Sequence, residues 1–145
     1  MRATRVQVVF DCADPSRLGR FWLAALGYRE DLPPEGFATW QDFLRASNTP
    51  EAEWNNAYAI IDPEGVGPRI YFQRVPEAKT VKNRVHLDLN VGGARGTPLQ
   101  ERTARVEAEA QRLVGLGATR KGAIDERGEF CVNMLDPEGN EFDLQ

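Results

Sequence analysis

Hydrophobic and polar residues alternate and cycle along this chain in an order that occurs twice. From Arg5 to Asp11 the alternation is strand-like, with Val6, Val8 and Phe10 on one face and Gln7, Val9 and Asp11 on the other. Asp14-Pro15 then predicts a helix start, because Asp caps free N–H groups and Pro fits the first helical position. Leu18, Phe21, Trp22, Ala25 and Leu26 follow at helical spacing, and Gly27 supplies a left-handed stop. Strands are expected at Tyr28 to Asp31, Phe37 to Leu44, Ala57 to Asp62 and Arg69 to Arg74, the last two joined by the turn Asp62-Pro63-Glu64-Gly65. The polar stretch from Arg45 to Asn56 reads as a surface insertion containing one helical turn.

The second half repeats that order. Val85, Leu87, Leu89 and Val91 alternate with His86, Asp88 and Asn90. A loop, Gly92 to Pro98, leads into a helix from Leu99 to Leu116 carrying Val106, Ala110, Leu113 and Val114, and Gly117 closes it. Strands at Ala118 to Ile124 and Glu129 to Leu135 flank the turn Asp125-Glu126-Arg127-Gly128. A second Asp-Pro-Glu-Gly turn, Asp136 to Gly139, introduces the strand Asn140 to Gln145. Leu-Gly ends both helices and Asp-Pro-Glu-Gly precedes the last strand of both halves, which marks a diverged internal repeat. The expected fold class is α+β: two tandem βαβββ modules, residues 2–76 and 79–145, within a single domain spanning 1–145.

Composition narrows the function. Of 145 residues, 41% are hydrophobic and 28% charged, an ordinary globular balance. A net charge of −4 argues against nucleic acid as a partner, since phosphate neutralisation needs Lys and Arg. The local basic run of Lys79, Lys82 and Arg84 reads as a solvated connector. No stretch approaches the roughly 20 apolar residues that span a bilayer, and the opening MRATRVQVVF lacks a signal peptide's apolar run, so no membrane partner and a cytoplasmic location are expected. Cys12 and Cys131 are expected as small buried thiols and not as a disulfide. No nucleophile motif, phosphate-cradling loop or Cys-based zinc spacing occurs; Gly92 to Gly96 lacks the GxGxxG spacing.

Opposite the apolar strand faces lies a polar set: Gln7 and Asp11; Arg69, Tyr71 and Gln73; His86, Asp88 and Asn90; Glu141, Asp143 and Gln145. A sheet face turned to solvent accounts for such a pattern by itself. The alternative is a polar concave cavity with aromatic walls from Trp40, Phe43 and Tyr71, suited to a polar, oxygen-rich ligand.

Four segments carry a resemblance: Phe10 to Pro15, Pro68 to Gln73, Val81 to Leu89, and Asp136 to Leu144. Together they resemble the glyoxalase/bleomycin-resistance (vicinal oxygen chelate, VOC) superfamily and its glyoxalase-like domain subgroup, along essentially the whole chain. The resemblance implies modules whose strands curl around a small-molecule cavity, with helices outside. In metal-dependent members four ligands come from the first and last strands of each module. Carried over by position, these places fall on Gln7, on Tyr71 or Gln73, on His86 and on Asp143, with Asp88 as a second carboxylate beside His86. Gln7, His86 and Asp143 are thus candidate ligands of a divalent metal ion. This is a weakened set beside the carboxylates and imidazoles such a site prefers. Ligand-binding candidates are Gln7, Trp40, Tyr71, Gln73, His86, Asp88 and Asp143; His86 and Asp88 are the candidates for acid/base catalysis. Three functions follow: a binding protein of the drug-sequestering kind for a small polar or aromatic molecule, toward which the weakened set leans; a metal-dependent lyase, isomerase or dioxygenase chelating adjacent substrate oxygens; and a structural or regulatory module. No tightly retained metal is expected, and a homodimer is expected by family analogy.

Overall fold

A computed structural model describes residues 3–145, so the expected module start at Arg2 lies outside the described residues. The chain divides into two compact units, Met1–Ala78 and Lys79–Gln145.

The first unit begins with β1 (Val8–Cys12) and α1 (Pro15–Leu26), followed by β2 (Arg29–Glu30). The helix starts as its sequence demands: the Asp14 side chain accepts from Arg17 N–H, Pro15 follows, and Gly27 closes it at φ 69°. Next come α2 (Trp40–Ala46) and a 3-10 turn (Glu51–Asn56), then β3 (Ala57–Ile61) and β4 (Ile70–Arg74). The strand order is β1-β4-β3-β2, with β1 parallel to β4 and the other pairs antiparallel. Leu18, Phe21 and Trp22 of the helix are buried with Ile60, Ile70 and Phe72 of the sheet. Gly19 lets helix and sheet approach closely, with the Tyr58 and Phe72 rings against it.

The second unit repeats the plan with β5 (Asp88–Leu89), α3 (Leu99–Gly115), β6 (Thr119–Glu126), β7 (Glu129–Leu135) and β8 (Glu141–Leu144). Its strand order is β5-β8-β7-β6, again with the first and last strands parallel. Val106, Ala110 and Leu113 of α3 are buried together with Val132, Met134, Phe142 and Leu144. Gly117, at φ 112°, follows the helix end as Gly27 does in the first unit. Both Asp-Pro-Glu-Gly turns are built alike. Asp62 accepts from the N–H groups of Glu64, Val66 and Gly67, and Asp136 from those of Glu138 and Asn140.

Four expectations need correcting. The segment from Phe37 to Leu44 is not a strand: Thr39 caps a helix by accepting from Asp42 N–H, and Trp40, Phe43 and Leu44 take helical spacing. The first strand begins at Val8, and Val6 is 70% exposed. In the β1–β4 register Val6 falls opposite Pro68, which has no N–H to continue the ladder. In the second unit the strand expected from the alternation between Val85 and Val91 shortens to Asp88–Leu89, and Val85 is 80% exposed. Its place in the β5–β8 register lies opposite Asn140, inside the turn, so the ladder has already run out. Val114 is also exposed, being off the stripe that Val106, Ala110 and Leu113 define. Among the described residues no helix is long and apolar enough to cross a membrane. Both cysteines are free, Cys12 buried and Cys131 partly so.

Candidate functional site

Strand pairing sets one line of side chains across the second unit's sheet. Asp88 pairs with Asp143, Asp143 with Asn133, and Asn133 with Gly122. Their neighbours along the strands, Leu89, Val132 and Leu144, are buried in the core with α3, so period-two alternation puts this line on the opposite face. His86, two residues before Asp88, joins it. The imidazole Nε2 lies 3.3 Å from Asp88 Oδ1 and 3.5 Å from Asp143 Oδ2. Donor atoms of His86, Asp88 and Asp143 all fall within 4.8 Å of one another. Asn133 Nδ2 donates to Asp143 Oδ1 at 2.7 Å, which holds that carboxylate with Oδ2 toward the imidazole.

A cavity of about 400 Å³ opens here, lined by Lys82, His86, Lys121, Gly122, Asn133, Met134, Glu141 and Asp143. Glu141 is committed to structure: it accepts from Asn83 N–H at 3.0 Å and pairs with Lys79 at 3.1 Å. The Asn83 bond, reinforced by Lys79, lowers its pKa to about 2. Cys131 lies on the same sheet face as Asn133 (the β7 parity requires it). Burial, and then the Asp143 charge, raise its pKa, so the thiol stays protonated at neutral pH and is a poor nucleophile.

The first unit has the same register with different chemistry. Val9 pairs with Tyr71, as Asp88 pairs with Asp143, so Gln7 occupies the place of His86 and Tyr71 that of Asp143. Gln7 was an expected ligand. Its Oε1 accepts from Arg69 Nη1 at 2.8 Å, so the oxygen that would face a cation faces a guanidinium instead. Arg69 also donates to Asp31 Oδ2 at 2.8 Å and lies over the Tyr71 ring, 5.4 Å from its centroid. Trp40 Nε1 donates to the Asp31 carbonyl at 2.8 Å, and its ring packs edge-on against Phe43. Gln73 donates to Asp11 at 2.7 Å. Gln7, Trp40 and Tyr71 therefore gather around the Arg69–Asp31 pair in the first unit, whereas His86, Asp88 and Asp143 gather in the second.

A divalent ion is the group that the fold family implies. The second unit's donor set fits it: one imidazole and two carboxylates supply two negative charges, nitrogen and oxygen donors, and a common focus. The first unit's set does not, because Val9 and Tyr71 offer no carboxylate and Arg69 repels a cation. Sequence reasoning missed Asn133, Lys82 and Lys121. Asn133 was legible, alternating with Val132 and Met134 in an expected strand. Lys121 was not, since it sits at a β-bulge, where the register shifts between Arg120 and Gly122.

Comparison with known proteins bears on the fold. No curated protein sequence matches the chain. Among solved structures it is similar to a fosfomycin resistance protein, FosX, from Mesorhizobium loti, with TM-score 0.63, 14% identity and coverage of 100% of this chain and 92% of that one. A FosX variant from Listeria monocytogenes, crystallised with Mn(II) and a dihydroxypropylphosphonic acid, gives TM-score 0.65, 12% identity and coverage of 100% and 92%. A glyoxalase/bleomycin resistance protein/dioxygenase family enzyme from Burkholderia phytofirmans gives 0.59, 14%, and 95% and 94%. These likenesses show the fold. The family model described as a glyoxalase-like domain matches residues 7–145, and the chain belongs to that family.

Proposed function

We propose that the second unit binds a divalent cation through His86, Asp88 and Asp143 and presents it to a small oxygen-bearing ligand in the adjoining cavity. The observation that carries this reading is the convergence of one imidazole and two carboxylates within 4.8 Å. Such a cation, when bound, supplies Lewis-acid polarisation of a ligand oxygen. Asn133 orients Asp143, and Glu141, tied to Asn83 and Lys79, anchors the segment that leads to His86. His86 and Asp88, expected from sequence as acid/base groups, are here assigned to holding the cation. The Mn(II)-bound FosX relative supports the metal-assisted reading over simple sequestration. The expected homodimer belongs to the same proposal, and a sedimentation mass equal to one chain at tens of micromolar counts against it.

Titration with Mn(II), followed by the loss of the free-ion electron paramagnetic resonance signal, tests the cation site. One ion per chain is expected, with affinity reduced at least about ten-fold in His86→Ala and in Asp143→Asn. Binding that is unaltered in both variants, or no binding at millimolar Mn(II), overturns the reading.

A further inference from the structure

His86 is brought to its carboxylates by a stretch of chain that the core does not hold. Residues 80–86 belong to no helix or strand, and all but Asn83 are exposed, Val81 at 74% and Val85 at 80%. Among the described residues none of them makes a backbone–backbone hydrogen bond. The ladder resumes only after His86, where the Leu87 carbonyl accepts from Asp143 N–H at 3.0 Å. Before His86, two bonds tie Asn83 to one residue of β8. Asn83 N–H donates to Glu141 Oε2 at 3.0 Å, and Asn83 Nδ2 donates to the Glu141 carbonyl at 3.2 Å. Each residue contributes backbone and side chain, so the pair fixes the orientation of Asn83 as well as its distance. The short link through Arg84, Val85 and His86 therefore runs between two held points, Asn83 and Leu87.

The internal repeat shows the alternative arrangement. Extended by their registers, the two ladders place Gln7 opposite Arg69 and His86 opposite Glu141. Arg69 bonds the facing Gln7 directly, at 2.8 Å, and so takes up its side-chain oxygen. Glu141 does not bond the residue it faces. Its carboxylate takes Asn83 N–H and, at 3.1 Å, Lys79. It thus holds the backbone that leads to His86 and leaves the ring to Asp88 and Asp143, 3.3 and 3.5 Å away.

We propose that Asn83 is a positioning residue for His86: its two-bond clamp on Glu141 presets the imidazole beside Asp88 and Asp143 before any cation arrives. This inference rests on the cation-site reading above and adds the residue that sets its nitrogen donor. Without the clamp, Arg84, Val85 and His86 are tethered at one end only, and backbone entropy opposes capture of the ring. Linkage makes the effect reciprocal, so a bound cation holds the segment more firmly against Glu141.

Asn83→Ala tests this without changing any charge or any donor to the cation. His86 is the one histidine of the chain, so its ring proton resonances in the untagged protein report its surroundings without overlap. In metal-free Asn83→Ala they should move toward the values of an unstructured peptide. Unmoved resonances overturn the proposal whatever the cation does. Mn(II) affinity should fall about five-fold or more, the lower range of coupling between linked sites. In a His86→Ala background the same substitution should alter Mn(II) affinity by less than about two-fold, because the two effects share one path. An equal loss in both backgrounds overturns positioning through His86. Near-ultraviolet circular dichroism establishes whether the variant is folded. Amide exchange on the wild-type chain needs no variant: saturating Mn(II) should slow exchange across residues 80–86, and unaltered exchange with the ion bound overturns the proposal. If the wild-type chain takes no Mn(II), the cation reading fails by itself, and the metal-free ring resonances alone decide whether Asn83 positions His86.

Discussion

Replacing Glu141 with Gln separates the electrostatic framework of the site from the site itself. The Glu141 carboxylate accepts from Asn83 N–H and from Lys79, and its side chain is only 15% exposed. Its pKa falls from 4.5 to about 2, chiefly through the Asn83 bond. At about 1.4 kcal/mol per pKa unit, the charged form is worth up to about 3 kcal/mol to the folded state. Because the folded pKa lies below the unfolded one, this stabilisation is complete above about pH 4.5 and is lost as pH falls toward 2. Gln keeps an acceptor for Asn83 but removes the charge, so Glu141→Gln should cost about 1–3 kcal/mol at pH 7. The cost should shrink steadily between pH 4.5 and 3. Urea unfolding of both proteins at pH 7, 5, 4 and 3 measures this. Amide exchange of Asn83 should quicken at pH 7. Stability curves that run parallel through the acid range refute the assignment, since the Glu141 charge would then contribute nothing specific to the fold.

His86→Ala should change unfolding free energy by no more than about 0.5 kcal/mol, because the side chain is 42% exposed and outside the core, whereas Leu144→Ala in the core should cost about 2–5 kcal/mol. Comparable losses in denaturant titrations would make His86 a packing residue. Gly19→Ala should destabilise by about 1–2 kcal/mol, since its Cβ would press on the Tyr58 ring and lie 3.2 Å from Phe72, outweighing the roughly 1 kcal/mol helix gain; a higher Tm would show that helix and sheet are more loosely packed. Asp136→Ala should cost about 2–4 kcal/mol, because the buried carboxylate satisfies the N–H groups of Glu138 and Asn140 and the Asn140 side chain. A loss below 0.5 kcal/mol would mean that the turn holds without it.

Local periodicity and stop signals determined most of the architecture. Asp14-Pro15, Leu26-Gly27 and Leu116-Gly117 bound the two long helices because caps and left-handed stops act through immediate neighbours. The duplicated Asp-Pro-Glu-Gly turns revealed the repeat for the same reason. Parity along β8 assigned Asp143 to the face opposite Phe142 and Leu144, since a strand alternates whatever its surroundings. Residues 37–44 escaped this reasoning. Phe37, Trp40 and Phe43 suit either a strand or a helix, and the Thr39–Asp42 cap decides between them. The ends of β1 and β5 were equally hidden, because a strand stops where its partner can no longer pair, here at Pro68 and in the turn at Asn140. The site divides along the same line. That His86 and Asp88 share a face followed from spacing, but the convergence of both on Asp143 needed the β5–β8 register. Gln7 shows the reverse, a ligand by position whose oxygen is occupied by Arg69, a residue 62 positions away. Lys121 reaches the cavity only because β6 and β7 slip by one residue, and a slip is a property of two strands together that neither sequence states alone.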